Sequence, residues 1–79
     1  MLPPYHSEDI AQAVQESLGR VGISAPHVVV TADLRSRRWI VLARWEGGEH
    51  RASYRFAGRE GIHTPAELAG WFARDVRLA

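Results

Sequence analysis

The amino-acid sequence predicts an α+β fold of order α-β-β-β-α: a three-stranded antiparallel meander with two helices packed on one face and the other sheet face exposed. Three observations carry this expectation. Residues 27–57 break into three segments rich in β-branched and aromatic residues, separated by turns. The segments on either side space their apolar residues as helices do. Both hairpins, once paired, put their aromatics on the same side of the sheet.

Met1 to His6, with the pair Pro3-Pro4, reads as a flexible N-terminal arm at 1–6, leaving 7–79 as a single domain. Ser7 is the expected N-cap of the first helix, followed by Glu8 and Asp9 where negative charge meets the positive end of the helix dipole. Ile10, Val14 and Leu18 recur every fourth residue opposite Gln12, Gln15, Glu16 and Arg20, a narrow apolar stripe. Gly19 or Gly22 is expected to end the helix.

The segment HVVVTADL from His27 is the first strand, since Pro26 is tolerable only at a strand's beginning. A second strand runs from about Arg37 to Glu46 and a third from about Glu49 to Ala57. With Gly47-Gly48 as a two-residue loop, Glu46 faces Glu49, Arg44 faces Arg51, Val41 faces Tyr54 and Trp39 faces Phe56. With Arg35-Ser36 as the other loop, Asp33 faces Arg38, Ala32 faces Trp39 and Val30 faces Val41. Side chains alternate along a strand, so Val28, Val30, Ala32, Trp39, Val41, Ala43, Trp45, Ala52, Tyr54 and Phe56 share the expected core face. The last helix opens on Thr64-Pro65-Ala66-Glu67, a capping threonine, proline at the first helical position and glutamate two residues further on. Its Leu68, Trp71, Phe72 and Val76 complete the core.

Composition removes several kinds of function. The 79 residues contain no cysteine, which excludes disulfides, thiolate metal sites and a cysteine nucleophile. The four histidines, His6, His27, His50 and His63, lack the paired spacing of zinc ligands. Gly58-Arg59-Glu60-Gly61 has neither the spacing nor the lysine of a phosphate-binding loop. Asp33, Glu46, Glu49 and Glu60 have simpler roles as surface or turn residues, and a small open sheet seldom builds a pocket that tunes a carboxylate. The expectation is a non-enzyme with no catalytic residue, metal or cofactor. No apolar run approaches the roughly 20 residues that span a bilayer, and MLPPYHSED lacks the regions of a signal peptide. A cytoplasmic protein without a membrane partner is expected.

The other sheet face then collects His27, Val29, Thr31 and Asp33, Arg38, Ile40, Leu42 and Arg44, and Arg51, Ser53 and Arg55. Net charge is only +1, yet all ten basic residues are arginine. A GC-rich genome produces that bias, and so does selection for guanidinium groups, which grip phosphate and carboxylate bidentately. The candidate binding residues are Arg38, Arg44, Arg51 and Arg55 around Ile40 and Leu42, with Arg59 as an extra contact. Arginine facing arginine at 44 and 51 would be unfavourable unless an anion or solvent separates them. Nucleic acid, DNA or RNA, is the favoured partner. The alternative is a protein-protein interaction module, a small inhibitor or adaptor docking on the apolar centre, or a homodimer through the sheet face or an edge strand.

The order α-β-β-β-α resembles that of double-stranded-RNA-binding domains, although Gly61-Ile62-His63-Thr64-Pro65-Ala66 stands where that family has a glycine-rich loop and a lysine cluster. The run from Trp39 to Phe72, about half the chain, has a tryptophan strand, a glycine turn, an arginine strand ending in Phe and a helix with Glu-Leu and Trp. It is similar to the three-stranded arm-type DNA-binding domains of phage and transposon integrases. That resemblance implies DNA binding, whereas a phage- or mobile-element-encoded protein is the expectation under the inhibitor-or-adaptor alternative.

Overall fold

The computed structural model describes residues 2–78; Met1, part of the expected arm, and Ala79 lie outside the described residues. Helix α1 (Ser7–Arg20) is followed by strands β1 (His27–Asp33), β2 (Arg38–Trp45) and β3 (Gly48–Arg55). A short hairpin of β4 (Ala57–Gly58) and β5 (Gly61–Ile62) then leads to helix α2 (Pro65–Leu78). The main sheet is antiparallel in the order β1-β2-β3. The helices pack on each other, α1 over β1 and α2 against β3, so the α+β layout read from the sequence is the fold. Among the described residues no helix is long and apolar enough to cross a membrane.

Local chemistry sets the helix ends. Thr64 Oγ1 accepts the Glu67 N–H at 3.2 Å and Glu67 Oε1 accepts the Thr64 N–H at 3.1 Å, a reciprocal capping box. At α1 the expectation is corrected: His6 holds the N-cap position without a side-chain cap bond, and Ser7 is already helical. The first-turn carboxylates of Glu8 and Asp9 are left to complement the dipole there. The other end of α1 is a Schellman turn. Ile23 N–H bonds the Leu18 carbonyl and Gly22 N–H that of Gly19, with Gly22 at φ +90.

The β1–β2 register is the expected one, although its loop has four residues, Leu34 to Arg37, rather than two. Asp33 holds the turn, because its Oδ1 accepts the N–H groups of Arg35 at 3.1 Å and Ser36 at 3.4 Å, while Arg37 takes the positive φ. The β2–β3 register differs by two residues from the expectation. The loop is Glu46-Gly47, and Trp45 faces Gly48, Ala43 His50, Val41 Ala52 and Trp39 Tyr54. Gly47 takes the positive φ, +102. Gly48 instead lies beneath the Trp45 ring, where an added Cβ would sit 3.0 Å from the ring carbons. A shift of two leaves every side chain on its expected face, because the strand period is two.

The core lies between that face and the helices. Ile10, Val14 and Leu18 of α1, Trp39, Val41 and Ala43 of β2, Phe56, and Leu68, Ala69, Phe72 and Ala73 of α2 are buried. Trp39 is 0% exposed and its ring packs on Phe56 at 5.0 Å, while Ile40, its neighbour, is only half-buried. The Trp39 indole Nε1 is buried with no hydrogen-bond partner among the described residues. Tyr54 and Trp71, expected inside, are half-buried at the margin. There they dock α2: Tyr54 and Trp71 rings pack at 5.9 Å, and the Tyr54 hydroxyl donates to Asp75 Oδ2 at 3.1 Å. Closer to the centre, Phe72 meets the edge of His50 at 5.1 Å.

These burials rank the aromatic truncations. Phe72→Ala should cost about 3–5 kcal/mol, enough to unfold most of a small domain, and Trp71→Ala distinctly less, both read from urea melts. Tyr54 adds a pH dependence. Burial, then the Asp75 charge, then the hydrogen bond to it hold its hydroxyl protonated well above the usual tyrosine range. The folded state therefore keeps this proton more tightly than the unfolded chain, so the contribution is complete below about pH 10 and is lost as pH rises further. Thermal melts from about pH 9 to 11 should show a smaller alkaline fall in Tm for Tyr54→Phe than for the wild type.

Candidate functional site

Among the described residues, no element lies over the face of the sheet turned away from the helices. Four rows cross it: His27–Arg44–Glu49, Val29–Leu42–Arg51, Thr31–Ile40–Ser53 and Asp33–Arg38–Arg55. Val29, 46% exposed, joins the half-buried Ile40 and Leu42 in a small apolar centre. The sequence-predicted Arg38, Arg44, Arg51 and Arg55 do lie on this one face.

Their partners are not the expected ones. The two-residue change of register sets Arg44 opposite Glu49, and Arg44 Nε donates to Glu49 Oε2 at 3.1 Å. The expected Arg44–Arg51 repulsion is therefore absent, and Arg51 faces Leu42. The like-charge pair is Arg38 opposite Arg55. Arg38 Nη1 donates to Ser53 Oγ at 3.3 Å, and Asp33, the acid expected to pair with it, spends Oδ1 on the turn. Among the described residues, no carboxylate lies within 4.0 Å of Arg35, Arg37, Arg38, Arg51 or Arg55.

Four of these five arginines lie at or next to the β1–β2 turn, and Arg51 lies two rows along the open face from it. Two hollows meet in that turn at Ser36. One, on the open face, is lined by Asp33, Ser36, Arg38, Ile40, Arg51 and Ser53. The other, largely apolar, runs over Pro4, Arg37, Arg55, Phe56, Ala57 and Ile62. Arg59 does not join them. It sits on the β4–β5 turn and shares a separate hollow with Glu60, His63, Glu67 and Trp71 beside the start of α2.

Arg37 is the functional candidate the sequence did not single out. It is exposed and adopts φ +56, a left-handed conformation that costs a non-glycine residue about 1 kcal/mol. Glycine would be cheaper in the turn, so the arginine is held there at the expense of stability, in a hollow that it shares with Arg55. The three arginines of Arg35-Ser36-Arg37-Arg38 are the only sign of this in the sequence. Among the described residues, no three histidine, aspartate or glutamate side chains come together to hold a metal ion. No family model, curated protein or solved structure matches the chain. Its function is therefore read from this geometry.

A separation of roles follows for the turn. Arg37→Gly should raise stability by up to about 1 kcal/mol in urea melts, while lowering affinity for any anion held at this end of the sheet.

Proposed function

We propose that the chain is a small non-enzymatic binding module whose arginine end of the open sheet face takes the phosphate backbone of a nucleic acid. The observation that carries this reading is the row Arg38–Arg55, two arginines directly opposite one another with no carboxylate within 4.0 Å among the described residues; Arg51 lines the same open-face hollow as Arg38, and Arg37 shares the adjoining hollow with Arg55. Like charges so placed repel until an anion enters between them. Guanidinium groups suit phosphate because their fixed forks match its oxygens. Arg44 has a lesser part, since Glu49 already neutralises it.

A second reading has its own support. Val29, Ile40 and Leu42 make an apolar centre with an arginine rim, the layout of a protein-docking patch for an inhibitor or adaptor. The two readings differ in salt dependence. Titration of labelled duplex DNA, duplex RNA and single strands at two salt concentrations should give binding that weakens steeply with salt. Arg38→Ala and Arg55→Ala should each weaken it and reduce the salt slope by about one unit. Arg44→Ala should do less, and Glu49→Gln, which frees Arg44, should strengthen it. Absence of binding to every nucleic acid at low salt would end this reading. Binding of a protein that depends on Ile40 and Leu42 and hardly on salt would establish the second.

A further inference from the structure

The two outer edges of the sheet are not alike. The Phe56 N–H donates to the Arg37 carbonyl at 2.9 Å, and these residues continue the β2–β3 register. Antiparallel pairs alternate between hydrogen-bonded and non-hydrogen-bonded, so odd-numbered residues of β2 bond to β3 and even-numbered ones to β1. Through the β1–β2 register, the backbone groups of Val28, Val30 and Ala32 must then point outward, away from the sheet. On the far edge the outward residues are Glu49, Arg51, Ser53 and Arg55. Charged side chains are a common protection of an exposed edge. The β3 edge has three, and β1 has no charged residue, proline or bulge between His27 and Asp33. No hydrogen bond from elsewhere in the described residues reaches Val28, Val30 or Ala32.

Strand β1 is also complementary to itself. Laid antiparallel on a second copy with Val30 opposite Val30, all seven of its residues pair. Val28 then meets Ala32 and Val29 meets Thr31, each on its present face. The outward groups of Val28, Val30 and Ala32 fall together in hydrogen-bonded pairs. His27 falls opposite Asp33 of the second copy in a non-hydrogen-bonded pair, where side chains approach most closely, once at each end. Moving the register by two residues either way shortens the ladder and sets His27 against Thr31, or Asp33 against Val29.

We infer that β1 pairs with β1 of a second copy, giving a two-fold dimer with one continuous six-stranded sheet. The arginine faces of the two copies become one surface across the axis. The pairing itself needs no anion, so it stands apart from the nucleic-acid reading.

Sedimentation equilibrium without nucleic acid tests it, and the wild type should approach twice the 8.8 kDa chain mass at tens of micromolar. Val30→Pro removes a central N–H that no other group among the described residues uses, a change edge strands tolerate. It should raise the dimer dissociation constant on the order of tenfold or more. His27→Asp, at an exposed position, sets like charges together at both ends and should also weaken the dimer, whereas His27→Lys should retain it. Circular dichroism confirms that each variant is folded, and should Val30→Pro unfold, the His27 variants decide. A wild type that stays at 8.8 kDa, or a dimer indifferent to folded His27→Asp, would overturn the inference. Either result leaves the arginine-face titrations to be judged separately.

Discussion

Alternation of side chains along β2 is the constraint on which the rest of the molecule depends. As the central strand, β2 turns Trp39, Val41 and Ala43 into the helices and Arg38, Ile40, Leu42 and Arg44 the other way. A domain of this size has only one apolar layer to bury, so a slip of one residue would exchange the core for the arginines. Both helices answer to that layer. The Ile10, Val14 and Leu18 stripe of α1 and the Leu68, Phe72 stripe of α2 meet over it, and neither would be covered without the other.

Turn chemistry decides what remains free within that constraint, and it governs charge rather than the core. The Glu46-Gly47 turn aligns Arg44 with Glu49 and Arg38 with Arg55. One end of the open face is thereby neutralised and the other is left cationic. At the cationic end the chain accepts a left-handed arginine, and Asp33, opposite Arg38, turns its Oδ1 to the turn N–H groups and makes no ion pair with that arginine. An exposed ion pair such as Arg44–Glu49 contributes little to stability. Its consequence is that the last row of the open face, away from the β1–β2 turn, carries no unpaired arginine.

The parts legible in the sequence are those decided by neighbours in the chain or by parity. The Thr64–Glu67 capping box lies within four consecutive residues, and apolar alternation assigned each strand residue to its face. The register within that parity is a different matter. Gly47-Gly48 offers two turns that keep every face intact, and the choice rests on Trp45 lying over Gly48, a contact between side chain and backbone across the hairpin. Opposite charges on Arg44 and Glu49 were the available clue. The left-handed backbone of Arg37 is a backbone property with no pattern of its own, and the displacement of Arg59 follows from the two-residue strands β4 and β5, too short to announce themselves by periodicity.

The β2–β3 register carries the whole electrostatic account, and interstrand Hα–Hα contacts in a nuclear Overhauser spectrum measure it directly. Such contacts are strong at non-hydrogen-bonded antiparallel pairs, where the chains lie closest. The account predicts cross-peaks joining Leu42 to Arg51 and Arg44 to Glu49. A cross-peak joining Arg44 to Arg51, with Leu42 joined to Ser53, would contradict it.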